Sequence, residues 1–297
     1  SQNQMKANAG LTLTYELLES ITLRNVTGVD VANDYNSRFV NPASYIGSLQ
    51  LYQSGSAIEA NRIASQVINT SSVIFSKRFA QRHDVQVGGY FEVLRARQKG
   101  FGFTLYNLDP RLTQTGQGAG ALPTNGAATM PQNATSAKSG FGIRSYFGTL
   151  RYTFNDKYTL SANVRRDGTS RIVNPENREI TTWSAGLIWN ALKEDFLSSQ
   201  KILSDLRLRV SYGIVPNIGS IPTGGYGIMG ITSVTNYQGP QLPTFGNTNY
   251  AGSTLQGIAP TNPGIPNLEI ENIQKANIGL DFGFLAGALT GSVDYFH

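Results

Sequence analysis

Every second residue is apolar in stretch after stretch of this chain, and many stretches are long. In "YTLSANVRR", Tyr158, Leu160, Ala162 and Val164 alternate with Thr159, Ser161, Asn163 and Arg165. In "DLRLRVSY", Leu206, Leu208, Val210 and Tyr212 alternate with Arg207, Arg209 and Ser211, and "ANIGLDFGF" repeats the pattern from Asn277 to Phe284. A period of two places alternate side chains on opposite faces of a β-strand. About ten such strands are expected, at roughly 4–17, 20–33, 60–80, 83–97, 141–155, 157–169, 179–191, 203–215, 268–284 and 288–297. Several exceed the roughly 5–6 residues usual for soluble strands.

The connections sort into two sets. Turns at 17–20, 80–83, 155–157 and 285–289 are short, and 191–204 is longer, with one helical turn expected. The other set, at about 34–59, 98–140, 170–178 and 216–267, is mostly long and rich in Gly, Pro, Asn, Thr and Gln. Tight turns therefore collect at one end of the strands and large loops at the other. Compact soluble domains seldom carry structureless loops of that length, whereas outer-membrane barrels join strands in this way.

Alternation by itself fits a soluble sandwich as well as a barrel. Three features favour lipid. The strands are long enough to cross a bilayer while tilted. Aromatic residues gather at two levels. Phe154, Tyr158, Trp189 and Phe284 lie near the short turns, and Tyr146, Trp183 and Tyr212 lie toward the loops. The apolar faces carry almost no mid-strand charge, while the opposite faces hold Arg165, Arg207, Arg209, Lys275 and Asp281. A dry core would accept those charges poorly, and a wet lumen accepts them. Tyr158, Leu160, Ala162 and Val164 are thus expected to face lipid, and Arg165 the lumen.

Composition narrows the function. The 297 residues contain no cysteine, so disulfides, zinc knuckles and thiol catalysis are excluded. The net charge is +5 without a block of Lys and Arg, which argues against a nucleic-acid partner. With only His83 and His297, no Ser/His/Asp arrangement is credible, and His83 reads as a solvated turn residue. Glu269 and Glu271 share a strand face and read as wall or loop base. "GYGIMG" satisfies G-x-G-x-x-G but lacks a following helix, so it reads as a flexible loop. No catalytic residue, metal site or cofactor is expected. No apolar run is long enough for a membrane-spanning helix. The chain starts without an initiator Met or signal peptide and stops within an alternating segment, so it is expected to be a piece of a longer polypeptide.

"YTLSANVRRDGTSR", "WSAGLIWNALKEDFL", "LSDLRLRVSYGIVPN" and "ANIGLDFGFLAGALTGSVDYF" resemble the barrel of SusC/RagA-type TonB-dependent transporters of Bacteroidota. Arg165, Arg166, Asp167, Gly168, Ser170 and Arg171 match one family element. Leu206, Leu208, Arg209, Ser211, Tyr212 and Gly213 match a second, and Asn277, Gly279, Leu280 and Asp281 a third. Leu187 stands where the family has Trp, and "GIVPN" replaces a common Gly-Val-Thr-Gly-Asn. The resemblance is strong over about 141–297 and looser before it.

The resemblance implies an all-β, transmembrane antiparallel barrel, here about ten strands of a plugged barrel of the roughly 22-stranded kind. Residues 1–297 would be part of that one barrel domain, with the plug, the TonB-contacting segment and the terminal strands outside it. It implies an outer-membrane location and TonB-dependent uptake of oligosaccharides or peptides beneath a SusD-like surface lipoprotein. A siderophore-type receptor or a passive porin is the runner-up.

Two sets of residues are candidates for substrate contact. Arg165 and Arg166 lie in "RRDGTSR", where the competing reading is an Arg/Asp cluster tied by mutual charge pairs. Tyr226, Tyr237, Phe245 and Tyr250 lie in the 216–267 loop among amides suited to sugar rings or apolar peptide side chains. The competing reading is that these aromatics pack the loop on itself or dock the lid.

Overall fold

The computed structural model describes residues 1–49, 55–112, 133–197, 200, 202–217, 221, 223–228, 232–249 and 256–297. Ten strands form one antiparallel sheet: β1 (Gln2–Leu18), β2 (Ile21–Val40), β3 (Ser56–Phe79), β4 (His83–Tyr106), β5 (Asn133–Phe154), β6 (Tyr158–Thr169), β7 (Glu179–Asn190), β8 (Leu203–Asn217), β13 (Glu271–Phe284) and β14 (Leu289–Phe296). Each strand pairs with its neighbours in chain order, except that β8 passes to β13. The sheet is open at β1 and β14. Between β8 and β13 the chain forms two separate hairpins, β9 (Gly224–Ile228) with β10 (Thr232–Asn236) and β11 (Thr244–Asn249) with β12 (Gln256–Asn262).

All ten expected strands are present, but four run further toward the loops than the alternation indicates. β2 continues to Val40, β3 begins at Ser56, β4 reaches Tyr106 and β5 begins at Asn133. The loops between them therefore shrink. Toward the loops polar and charged residues enter the outward face, such as Ser37 of β2 and Arg95, Arg97 and Lys99 of β4, so the period-two signal is interrupted while the backbone ladder continues, and Phe101, Phe103 and Leu105 resume the alternation on β4. β13 starts at Glu271 rather than 268, because Leu268 and Ile270 pack with Ile172, Ile221 and Ile180 at the loop base. The 191–204 turn holds two single 3-10 turns, Ala191–Lys193 and Asp195–Leu197.

Register assigns every strand residue to one of two faces, since directly paired residues share a face. On the face of Val164, the exposed side chains include Leu11, Leu13, Val67, Val73, Val87, Leu160, Leu187, Val210, Ile278 and Leu280. This outward face has two aromatic rows. Near the turns, His83 is opposite Phe154, Phe154 opposite Tyr158, and Tyr158 opposite Trp189. His83 is thus a half-buried member of that row, its Nδ1 2.7 Å from the Tyr152 hydroxyl and its ring 5.1 Å from Phe154, rather than a solvated turn residue. Toward the loops, Phe91 meets Tyr146 at 5.0 Å and Trp183 meets Tyr212 at 5.6 Å.

The Glu194 carboxylate fastens the turn-end row. It accepts from the Tyr158 hydroxyl, from Trp189 Nε1 at 3.1 Å and from Lys157 Nζ at 3.1 Å. These donors, the Tyr158 hydroxyl first, hold the carboxyl below its usual pKa.

Candidate functional site

The opposite, inward face holds the charge. Arg165 of β6 donates from Nε to Asp167 at 2.7 Å, and from Nη2 to Glu92 at 2.8 Å and Ser145 at 2.9 Å. Ser145 donates to Asp167, and Thr70 to Glu92 at 2.9 Å, so the net crosses β3, β4, β5 and β6. The guanidinium also lies 4.6 Å over the ring of Phe147, which stacks on Tyr90 at 4.5 Å. Asp167 and Ser145 are buried, and Arg165 keeps 31% of its side chain exposed. Two further inward clusters repeat the scheme. Arg62 donates to Asp34 from Nε at 2.8 Å, and Arg209 bridges Asp281 at 2.8 Å and Asp294 at 3.1 Å. Charges that burial would penalise are thus paired and hydrogen-bonded.

The loop end folds onto this face. Ile228 of β9 and Val234 of β10 are fully buried against Ala60, with Ala137 beside them. They sit over Gly100 and Gly102. A Cβ on Gly100 would come within 2.9 Å of Val234 Cγ2, and one on Gly102 within 2.9 Å of Ile228 Cγ2. These glycines permit the hairpin's close approach. Polar bonds then fix it. Gln98 donates to the Tyr237 hydroxyl at 2.8 Å and accepts from the Thr235 amide at 3.0 Å, and Arg62 donates to the Ser233 carbonyl at 3.2 Å. The Tyr237 ring packs on Phe141 at 4.5 Å. Further along, the buried Gln241 side chain donates to the Arg171 carbonyl at 2.7 Å and accepts from the Val173 amide at 2.9 Å, joining the two loop segments. Beside the docked hairpin is a hollow of about 320 Å³ whose inward polar lining includes Lys6, Asn8, Asp30, Gln66, Gln98 and Tyr237.

The six sequence candidates separate. Arg165 is held in the inward net. Arg166, its neighbour, projects to the outward face and donates to Glu179, from Nε at 2.9 Å and also from Nη2. Tyr237 lines the hollow while anchoring the hairpin. Phe245, paired with Pro260, is 63% exposed on β11. Tyr226 pairs with Val234 through its backbone, and its side chain lies outside the described residues. Tyr250 also lies outside them. "GYGIMG" contributes its first four residues to β9, a hairpin strand rather than a loop. Glu271 accepts from Asn217 Nδ2 at 2.8 Å, and Glu269 precedes the strand. Lys6, Asn8, Asp30, Gln66 and Gln98 were not singled out from sequence. The available signal was parity: all five lie on the polar phase of their strands.

A long-stranded sheet with an apolar, aromatic-banded outer face and a charged inner face that receives its own loops is wall from a transmembrane antiparallel β-barrel. The chain belongs to the TonB dependent receptor-like, beta-barrel family, which it matches over residues 2–297. It is 28% identical over 298 residues to TonB-dependent receptor SusC of Bacteroides thetaiotaomicron, covering 99% of this chain and 26% of that protein. Its fold superposes on the RagAB peptide transporter with a TM-score of 0.78 at 21% identity, covering 99% of this chain and 30% of that one. The ferric-catecholate import receptor Fiu from E. coli K12 superposes at 0.54 and 12% identity, covering 99% of this chain and 40% of that one. The SusC/RagA-type resemblance of the sequence agrees with these findings. The chain spans about a quarter of the length of SusC.

Proposed function

We propose that the chain is part of the wall of an outer-membrane importer that takes up oligosaccharides or peptides at the expense of TonB-transmitted energy, with a SusD-like surface lipoprotein as its lid. The plug, the segment that engages TonB and the remaining strands belong to other parts of the polypeptide. The observation that carries this reading is the docked hairpin. A loop bound to the inner wall through Gln98, Arg62 and paired glycines leaves a polar hollow facing the lumen, as selective passage requires and an open pore does not. The likeness to SusC, and the higher superposition on RagAB than on Fiu, support a nutrient importer over a siderophore receptor.

Tyr237, beside the inward hollow, and the exposed Phe245 of β11 are proposed for substrate contact, and Tyr226 and Tyr250 are proposed with them. Arg165 acts by holding the wall charge in place, and Arg166 is proposed for the outer surface. The test is uptake by cells making the full-length protein with and without TonB, alongside mass spectrometry of what co-purifies from outer membrane in mild detergent. TonB-dependent uptake and a stoichiometric lipoprotein are expected. Uptake that persists without TonB, or a large open conductance in planar bilayers, would replace this reading with a passive pore.

A further inference from the structure

The inward nets around Arg62, Arg165 and Arg209 are closed, each cation on its carboxylates. The hollow beside the docked hairpin is lined differently. Lys6 of β1 is directly opposite Ala32 of β2. Asp30, one inward position nearer the turns, is opposite Asn8 on one side and Gln66 on the other. Asp34, one inward position nearer the loops, already takes donors from Gln4 and Arg62. Lys6, Asn8, Asp30 and Gln66 make no side-chain hydrogen bond or ion pair among the described residues, and Lys6, Asn8 and Asp30 are exposed. Gln98 closes the far side, its amide spent on Tyr237 and Thr235. The floor is small: Ala32 is opposite Ala64, and Ala96 is opposite Gln66. Turnward, the next inward row is apolar, with Gly28, Ile68 and Leu94.

The hollow thus offers one free ammonium, one free carboxylate and two free carboxamides over alanine. Lys6 and Asp30 are diagonal neighbours, about 7–8 Å apart between Cα atoms. That is about two residues of extended chain. A ligand of one sign would satisfy one of the two charges and be repelled by the other. A neutral sugar would leave both without a counter-charge, and its ring would meet alanine where stacking needs an aromatic face. A carboxamide carries a donor and an acceptor, as a peptide group does, so Asn8 and Gln66 suit a peptide backbone. The volume of about 320 Å³ lies at the small end for ligand sites.

We propose that this hollow binds a short zwitterionic peptide, with its carboxylate on Lys6, its ammonium on Asp30 and its peptide groups on Asn8 and Gln66. The assignment rests on the importer reading, which puts the hollow on the import route, and it selects peptide over oligosaccharide there. The closed nets could not do this work, because their charges are already spent.

The test is calorimetric titration of the full-length protein in mild detergent with trialanine, its N-acetylated form, its C-amidated form and maltotriose. Trialanine is expected to bind, each blocked form about tenfold more weakly, and maltotriose more weakly still. Lys6→Gln should bring trialanine down to the level of the C-amide and leave the C-amide unchanged. Asp30→Asn should do the same toward the N-acetyl form. Arg24→Gln, an inward cation outside the polar lining, should change neither. The blocked peptides probe the unaltered protein, so the result does not depend on a variant that folds. No binding of trialanine, or equal affinity for free and blocked peptides, would overturn the proposal. So would variants that weaken every peptide alike, which would mean that Lys6 and Asp30 serve each other. TonB-dependent uptake of another nutrient, with trialanine unbound, keeps the importer reading while this one fails. The expected pattern in a protein that conducts freely without TonB would uphold the peptide site and end the importer reading.

Discussion

Arg165 and Arg166 are adjacent in sequence and have unlike surroundings. Arg165 is inward, spends its guanidinium on Asp167, Glu92 and Ser145, and braces four strands. Arg166 is outward, 63% exposed, and has Glu179 as its partner at the level of an aromatic row. The same side chain is a structural brace on one face and a surface charge on the other. In a barrel wall, parity decides what a charge can do, because one face meets water and the other hydrocarbon for most of the strand's length.

The sharpest way to break that comparison lies four residues nearer the turn. Ala162→Arg places a cation on the outward face between the aromatic rows and is expected to cost about 2–4 kcal/mol. Asn163→Arg, on the inward face, is expected to cost less than about 1 kcal/mol. Reversible denaturant unfolding of the full-length protein in lipid vesicles would measure both. Equal costs would mean that the faces are not differently solvated.

Arg165→Ala comes next. It leaves the buried Asp167 and the half-buried Glu92 short of a donor, and about 2–3 kcal/mol is expected, below the figure for full burial because Arg165 is a third exposed. Arg166→Ala should stay under about 1 kcal/mol, as an exposed pair does. Adding Asp167→Asn to Arg165→Ala should recover part of the first loss.

The docked hairpin gives a smaller, local effect. Gly100→Val drives a side chain against Val234 and Ile228 and is expected to cost about 1–3 kcal/mol of hairpin docking. Hydrogen exchange should rise at the β9 and β10 amides while the sheet stays protected. Protection lost everywhere would show that the hairpin is integral to the wall.

The smallest effect is in acid. Glu194, with its pKa held down by Tyr158, Trp189 and Lys157, adds stability that is present above about 4.5, its ordinary value, and is lost as pH falls through the depressed one. Glu194→Gln should flatten the acid side of the stability profile. An unchanged profile would remove the carboxylate from the turn-end belt.

The strands were legible because a single physical rule, apolar every second residue, governs all of them where they cross hydrocarbon. That rule identified ten strands and placed Val164 and Arg165 on opposite faces. It failed where hydrocarbon no longer imposes it. The upper parts of β2 and β4 carry polar and charged residues such as Ser37 and Arg97 at outward positions, and the hairpins in 216–267 bury, among the described residues, Ile228 and Val234. "RRDGTSR" was read as a charge cluster, which matches Arg165, but naming Arg165 and Arg166 together as lumen candidates ignored the parity that separates them.

The sequence by itself determined which residues meet lipid and which meet water, because a two-residue period survives in the linear text. Tertiary structure alone decided which loop returns to the wall and which charges find partners. Those outcomes depend on matching surfaces far apart in the chain, Gly100 and Gly102 against Val234 and Ile228, or Glu92 against Arg165. No local pattern encodes such a match.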